Sequence, residues 1–254
     1  MTPRYCAIIP TYDNPATVAR VAASVREFLP DVFVVDDGSA APGNEAVREL
    51  GERGIARVHF REHNGGKGAA VLSGLELAQA AGFTHALQID ADGQHDTGDV
   101  PRLLEASRLH PQALVLGQPL FDESAPKSRR RARKITHVLC AIEAGSLAVG
   151  DPLCGFRVYP VAASLAARAR GRKMDFDPEV AVKLSWNRTP IVHVEVKVRY
   201  FTAAEGGVSH YQLVRDTARI GWMHVRLCTW ALLRALTWPV RALLPAAPAP
   251  EPKT

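Results

Sequence analysis

The sequence predicts an α/β fold: a mainly parallel β-sheet flanked by helices, followed by a C-terminal amphipathic helix. Three observations lead there. Short apolar runs alternate with helix-period stretches through the first half. Polar residues of unusual chemistry follow the apolar runs rather than precede them. The last apolar-rich segment carries arginines at helical spacing. Strand–helix alternation implies crossover connections, and these give parallel strands covered on both faces.

Taken in order, "CAIIP" reads as a strand and "PATVARVAASVREFL" as an amphipathic helix with Val18, Val21, Val25 and Phe28 on one side. "VFVVDDGS" is a strand running into a turn, "NEAVRELGERG" a helix and "ARVHF" a third strand. "GGKGAAVLSGLELAQAAG" opens a helix from a glycine loop, "HALQID" is the fourth strand, "DVPRLLEASRLH" a helix and "ALVLG" the fifth strand. After Gly117 the pattern changes. "KSRRRARK" is followed by an apolar, helix-prone run to Val149, and "DPLCGFRVYP" is turn-rich. "DFDPEVAVKLSW" is helical, with Asp177 as N-cap and Pro178 at the first helical position. "IVHVEVKVRY" alternates as a half-buried strand does. "FTAAEGGVSH" is a glycine-containing loop, residues 213–244 form the Trp- and Arg-rich helix, and 245–254 form a disordered tail.

With 254 residues, 47% of them hydrophobic and 22% charged, the chain has material for a sizeable globular core. A net charge of +5 favours an anionic partner. The four cysteines form no C-x-x-C pair, so zinc and redox-motif readings are weak and a reducing compartment is the default. The first residues hold no apolar run of leader length, and a cytoplasmic location is expected.

In parallel sheets ligands collect beyond the carboxyl ends of the strands. Thr11, Tyr12 and Asp13 follow the first strand, Asp36 and Asp37 the second, His63 to Lys67 the third, and Asp90 with Asp92 the fourth. Residues two apart on an extended segment point the same way, so Asp90 and Asp92 are expected to face one site. Two close carboxylates raise each other's pKa unless a cation intervenes, and Mg²⁺ or Mn²⁺ is the natural occupant. Magnesium takes one or two protein carboxylates and completes its shell with water and phosphate oxygens, which implies a nucleotide diphosphate. An EF-hand is excluded, because Gly93 falls two places too early. In "EHNGGKGAAV" the glycine amides can approach an anion and Lys67 adds charge; Arg61 and Gly68 stand where a Walker A loop needs glycine and Ser/Thr. Asp37 can accept hydrogen bonds from a base or ribose, and the absence of G-x-G-x-x-G argues against NAD or FAD. The basic run is one short stretch among 26 acidic residues, without a nucleic-acid module, so no nucleic-acid partner is expected.

The ordered set "IIPTYDN", "VVDDGS", "HNGGKGAAV", "QIDADGQHD" and "DPLCGFRVY" resembles inverting family 2 glycosyltransferases of the GT-A fold, and within them the dolichol- or polyprenol-phosphate mannosyltransferase and glucosyltransferase branch. The resemblance implies a 1–212 catalytic domain, with 1–117 binding the nucleotide-sugar and 118–212 the acceptor. It implies that Pro10, Tyr12, Asp13, Asp37, Asn64, Lys67 and Asp90 line the donor, with Arg131 in the basic run. Asp90 and Asp92 would be the metal site with Gln94 as third ligand, and Arg157 would contact diphosphate or acceptor phosphate. Two departures stand out: "PTYDN" replaces the usual "PTYNE", and Gly155 precedes the Phe-Arg pair where some relatives carry an acid.

The donor would be UDP- or GDP-linked and the acceptor a lipid or lipid phosphate. A hydroxyl acceptor needs a general base, for which Asp151 is favoured over Glu179, whereas a phosphate acceptor is already an anion. A nucleotidyltransferase or a non-catalytic nucleotide-sugar or membrane-binding module are the alternatives. Arg215, Arg219, Arg226 and Arg234 fall within an arc of about 100°. With Trp222, Trp230 and Trp238 they suit an interfacial helix at the inner face of the cytoplasmic membrane, or one packed on the protein's own core.

Overall fold

A computed structural model describes residues 2–121, 127–199 and 213–242, with side chains described at 2–120, 133–199 and 215–237. The expected glycine loop at 201–210 and the expected tail at 245–254 lie outside the described residues, as does the side chain of Arg131.

Seven strands form one sheet: β1 (Tyr5–Thr11), β2 (Val32–Asp36), β3 (Arg57–Phe60), β4 (His85–Gln88), β5 (Leu114–Phe121), β6 (Arg157–Pro160) and β7 (Ile191–Val198). Their spatial order is β3-β2-β1-β4-β6-β5-β7. β1 pairs in parallel with β2 on one side and β4 on the other, with Ile8 opposite both Phe33 and Gln88. That divergence makes a crevice between the β1 and β4 ends, the switch point where such sheets bind ligands. β6 runs antiparallel to both neighbours, with Leu87 opposite Val158.

Side chains alternate across β1, so Cys6 and Ile8 enter one core layer while Ala7 and Ile9 enter the other. On the second face lie α1 (Val18–Arg26), α2 (Gly43–Glu52) and α4 (Val100–Leu109), anchored by Val21, Leu50 and Leu103. On the first lie α3 (Lys67–Ala80), α6 (Val161–Ala166) and α7 (Phe176–Trp186), with α5 (Lys127–Ala144) and α8 (Leu213–Ala242) outside them.

Three expectations need correction. Phe28 is 38% exposed, because α1 ends at Arg26 and the chain turns before Phe28 can share the apolar face. The turn-rich "DPLCGFRVYP" contains β6, a strand too short to announce itself and formed because the gap between β4 and β5 supplies both its partners. The N-cap position of α7 is Asp175, which leaves Asp177 inside the first turn. Residue 117 lies within β5 and β6 lies between β4 and β5, so the segments before and after residue 117 contribute to one sheet.

α8 is docked on the protein itself. Met223 and Leu227 are buried in the core, Arg226 Nη2 lies 3.1 Å from Glu179 Oε2, and Arg234 donates to the Trp186 carbonyl. The four arginines therefore do not act as one outward row. No helix among the described residues is long and apolar enough to cross a membrane.

Candidate active site

The β2 end and the glycine loop lock onto each other. Asp36 accepts from the backbone N–H and hydroxyl of Ser39, closing the turn. The next carboxylate, Asp37, accepts from the amides of Gly65 at 3.0 Å and Gly66 at 2.6 Å and from Arg61 at 2.9 Å. Gly66 sits at φ +96°, a conformation that frees its amide to turn towards Asp37 at no steric cost. The glycine amides expected to cradle a bound anion are thus spent on this carboxylate. Burial pushes the Asp37 carboxyl up, and the two amides and Arg61 pull the other way. Beside this pair, Asp13 adopts φ +49°, donates its amide to Ser39 Oγ at 2.8 Å and accepts from the Ala40 amide at 3.1 Å. Pro10 is buried at the end of β1, Tyr12 is half-buried after it, and Asn64 is exposed on the glycine loop.

Lys67 opens α3 and points its ammonium into the crevice, 2.8 Å from Asp90 Oδ2 and 3.0 Å from Asp177 Oδ2. Its pKa is raised: burial opposes the charge, but the two carboxylates outweigh it. Asp90 is likewise disfavoured by burial, yet Lys67 beside it holds its carboxyl below the usual range. Among the described residues, Asp90 Oδ1 makes only a long 3.4 Å contact with Gln88 Nε2. Tyr159 Oη lies 2.9 Å from Gln88 Oε1 and 3.4 Å from Asp177 Oδ1, extending the network onto β6. Gly155 is what permits it. A Cβ there would stand 2.3 Å from Asp90 Oδ2 and 2.5 Å from Lys67 Nζ, so any side chain would displace the ion pair.

The expectation that Asp90 and Asp92 project from one extended strand is not met. β4 ends at Gln88 and the chain turns at Ala91 and Asp92. Asp92 Oδ1 accepts the Gln94 amide at 3.0 Å, and the Gln94 carbonyl accepts the Arg199 amide at 3.0 Å, tying this turn to the end of β7. His95 follows, its imidazole pushed down to about 4 by burial and therefore neutral at neutral pH.

Arg157 is fully buried. Its guanidinium donates to the carbonyls of Pro152, Cys154 and Asp177 and lies 3.7 Å from the Asp177 carboxylate. It holds the 152–155 turn in place. Asp151 Oδ2 takes a 2.7 Å bond from Arg133 Nε, and its Oδ1 accepts the Leu153 amide. Glu179, the other candidate base, is buried against Lys183, Arg226 and the Gly171 amide, away from the crevice. The residue that the sequence did not mark as functional is Asp177. Its helix-start spacing hid it, and nothing local says that it meets Lys67.

The donor set at Asp90, Asp92 and Gln94 is all oxygen, which suits Mg²⁺ or Mn²⁺.

A family model for Glycosyl transferase family 2 matches residues 6–172. The chain is 35% identical over 109 residues to the polyprenol monophosphomannose synthase of Mycolicibacterium smegmatis, covering 41% of each. It is 34% identical over 108 residues to the undecaprenyl-phosphate mannosyltransferase of Micrococcus luteus, covering 41% of this chain and 44% of that one. The matched segments thus span about two-fifths of those two relatives. A UDP-N-acetylglucosamine–dolichyl-phosphate N-acetylglucosaminyltransferase of Methanococcus voltae matches over 231 residues at 24% identity, 83% of this chain and 88% of that one. The crystal structure of glucosyl-3-phosphoglycerate synthase from Mycobacterium tuberculosis with Mn²⁺, UDP-glucose and phosphoglyceric acid superposes with a TM-score of 0.65 at 18% identity, over 91% of this chain and 79% of that one. The likeness is one of fold, and the fold is GT-A.

Proposed function

The chain belongs to glycosyl transferase family 2, and on that footing we propose that it moves a sugar from a nucleotide-diphosphate sugar to a polyprenyl-phosphate-type acceptor at a membrane surface. The observation that carries this reading is the meeting of Lys67, Asp90 and Asp177 beyond the end of β4, with Asp92 two residues on from Asp90. The named lipid-phosphate acceptors of the relatives and the UDP-glucose and Mn²⁺ of the structural neighbour support the choice of substrates.

Asp92 and Gln94, with Asp90, would hold a divalent ion that neutralises charge growing on the departing diphosphate. Lys67 keeps Asp90 ionised and oriented. Tyr12, Asp13 and Asp37 border the nucleoside end of the crevice, where Asp37 braces the glycine loop. Asp151 orients Arg133, which lies past the basic start of α5, where an acceptor phosphate is favoured. A phosphate oxygen attacks the anomeric carbon without a general base, and displacement opposite the leaving diphosphate inverts that centre. Membrane contact is assigned to the outward apolar residues of α5 and α8: Ile135, Val138 and Ile142 on one, Trp222, Leu232 and Leu236 on the other, all well exposed.

The test is sugar transfer to polyprenyl phosphate in vesicles from UDP-, GDP- and dTDP-sugars, each with and without Mn²⁺. One donor class, active only with metal, is expected. Asp92→Asn should cost about 10²–10³-fold in kcat while leaving the melting temperature in place. A folded protein that neither binds nor turns over any of these donors sinks the reading.

A further inference from the structure

Outside the crevice, α5 and α8 bring four metal-ligand residues together. Cys140 and Glu143 are three apart on α5, and His224 and Cys228 four apart on α8, so each pair shares one helical face. Cys140, Glu143 and His224 are buried, and a ligand atom from each lies within 4.8 Å of the other two. His224 Nδ1 is 2.7 Å from Glu143 Oε1, and Cys228 Sγ is 3.5 Å from the same oxygen. Glu143 Oε2 and His224 Nε2 are buried without any hydrogen-bond partner among the described residues. Native interiors satisfy nearly all buried polar atoms, so two orphans in one cluster indicate a missing neighbour.

We propose that Cys140, Glu143, His224 and Cys228 form a second metal site, for a zinc-class ion, that clamps α8 onto α5. Two sulfurs, one imidazole and one carboxylate are the donors of a closed tetrahedral zinc site. Sulfur ligation selects against Mg²⁺ and Mn²⁺, so this site and the all-oxygen site at Asp92 take different ions. Cys228 is solvent-exposed, which opens a path for the ion from one side. The site is structural: it joins the helix with the outward apolar face to the catalytic domain, away from Lys67 and Asp90.

The test uses the full chain, stripped with chelator and titrated with Co²⁺ alone and then Zn²⁺. One equivalent of cobalt with a sulfur-to-metal charge-transfer band, displaced by zinc, is expected. Asp92→Asn should keep that band; Cys140→Ser and His224→Gln should lose it. Should the buried variants fail to fold, Cys228→Ser at the helix surface serves in their place and must shift or weaken the band. A wild-type protein without a sulfur–cobalt band, or a band unchanged in Cys228→Ser, overturns the site.

Discussion

Two buried ion clusters in this protein use the same chemistry to different ends. Lys67, Asp90 and Asp177 meet at the crevice, where Asp90 keeps 23% of its side-chain surface open. Glu179, Lys183 and Arg226 meet between α7 and α8, where the Glu179 side chain is 1% exposed and is bonded on both oxygens. In the first, among the described residues, one carboxylate oxygen of the partly open Asp90 is left with a single long contact. In the second both carboxylate oxygens are engaged. Burial and pairing are common to both; an under-used, partly open carboxylate oxygen sets the candidate site apart.

The largest break in that comparison is Lys67→Met. It leaves Asp90 and Asp177 facing each other without their cation, and removing one member of a buried pair costs about 3–5 kcal/mol. Both melting temperature and transfer activity should fall, the activity to background. Glu179→Gln should cost about 3 kcal/mol by the same reasoning, yet leave kcat per folded molecule unchanged. A loss of kcat without a loss of stability would place Glu179 in the reaction after all.

This cluster also has a pH signature. Burial disfavours the Glu179 charge, but Lys183 and the 170–171 backbone outweigh it and hold its carboxyl below the usual range. A carboxylate depressed in the folded state contributes stability above its unfolded pKa, lost as pH falls through the folded value. The stability gap between wild type and Glu179→Gln should therefore close in acid; denaturant titrations at neutral and acid pH read it directly.

Gly155→Ala sharpens the comparison from the other side. The added methyl pushes the Lys67–Asp90 pair aside, and a displacement near 1 Å can cost about 10²-fold in rate. Activity should fall by one to two orders of magnitude with intact metal-free folding, since the clash is with two side-chain tips. The smallest effect is expected from Trp222→Glu with Leu236→Glu, where 65% and 67% of each residue is exposed. Stability should move by no more than about 0.5 kcal/mol per site. Vesicle co-sedimentation should fall about tenfold, and unchanged sedimentation would remove the membrane role from this face.

Much of the candidate site could be read from spacing. Period-two strands, helix-period stretches and polar residues after each apolar run place Asp13, Asp37, Lys67 and Asp90 at one edge of the sheet without coordinates, because parallel strands put all their carboxyl ends together. Asp177 could not be found this way: it lies in a helix start of ordinary appearance and reaches Lys67 only because α7 packs beside α3. The partners of Arg157 were equally illegible: its motif says nothing of the three backbone carbonyls that enclose its guanidinium.

By itself the sequence determined the α/β alternation, the apolar faces of the elements and the edge at which the acidic and basic residues gather, since these depend on periodicity along the chain. The tertiary structure alone decided which charges meet. It spent the Gly65 and Gly66 amides on Asp37 and made Gly155 the space for an ion pair. It also brought Cys140 and Cys228, 88 positions apart with no spacing motif, to the same carboxylate. Electrostatics and metal ligation act over a few ångströms, and only the packing of α5, α7 and α8 sets such distances between residues far apart in the chain.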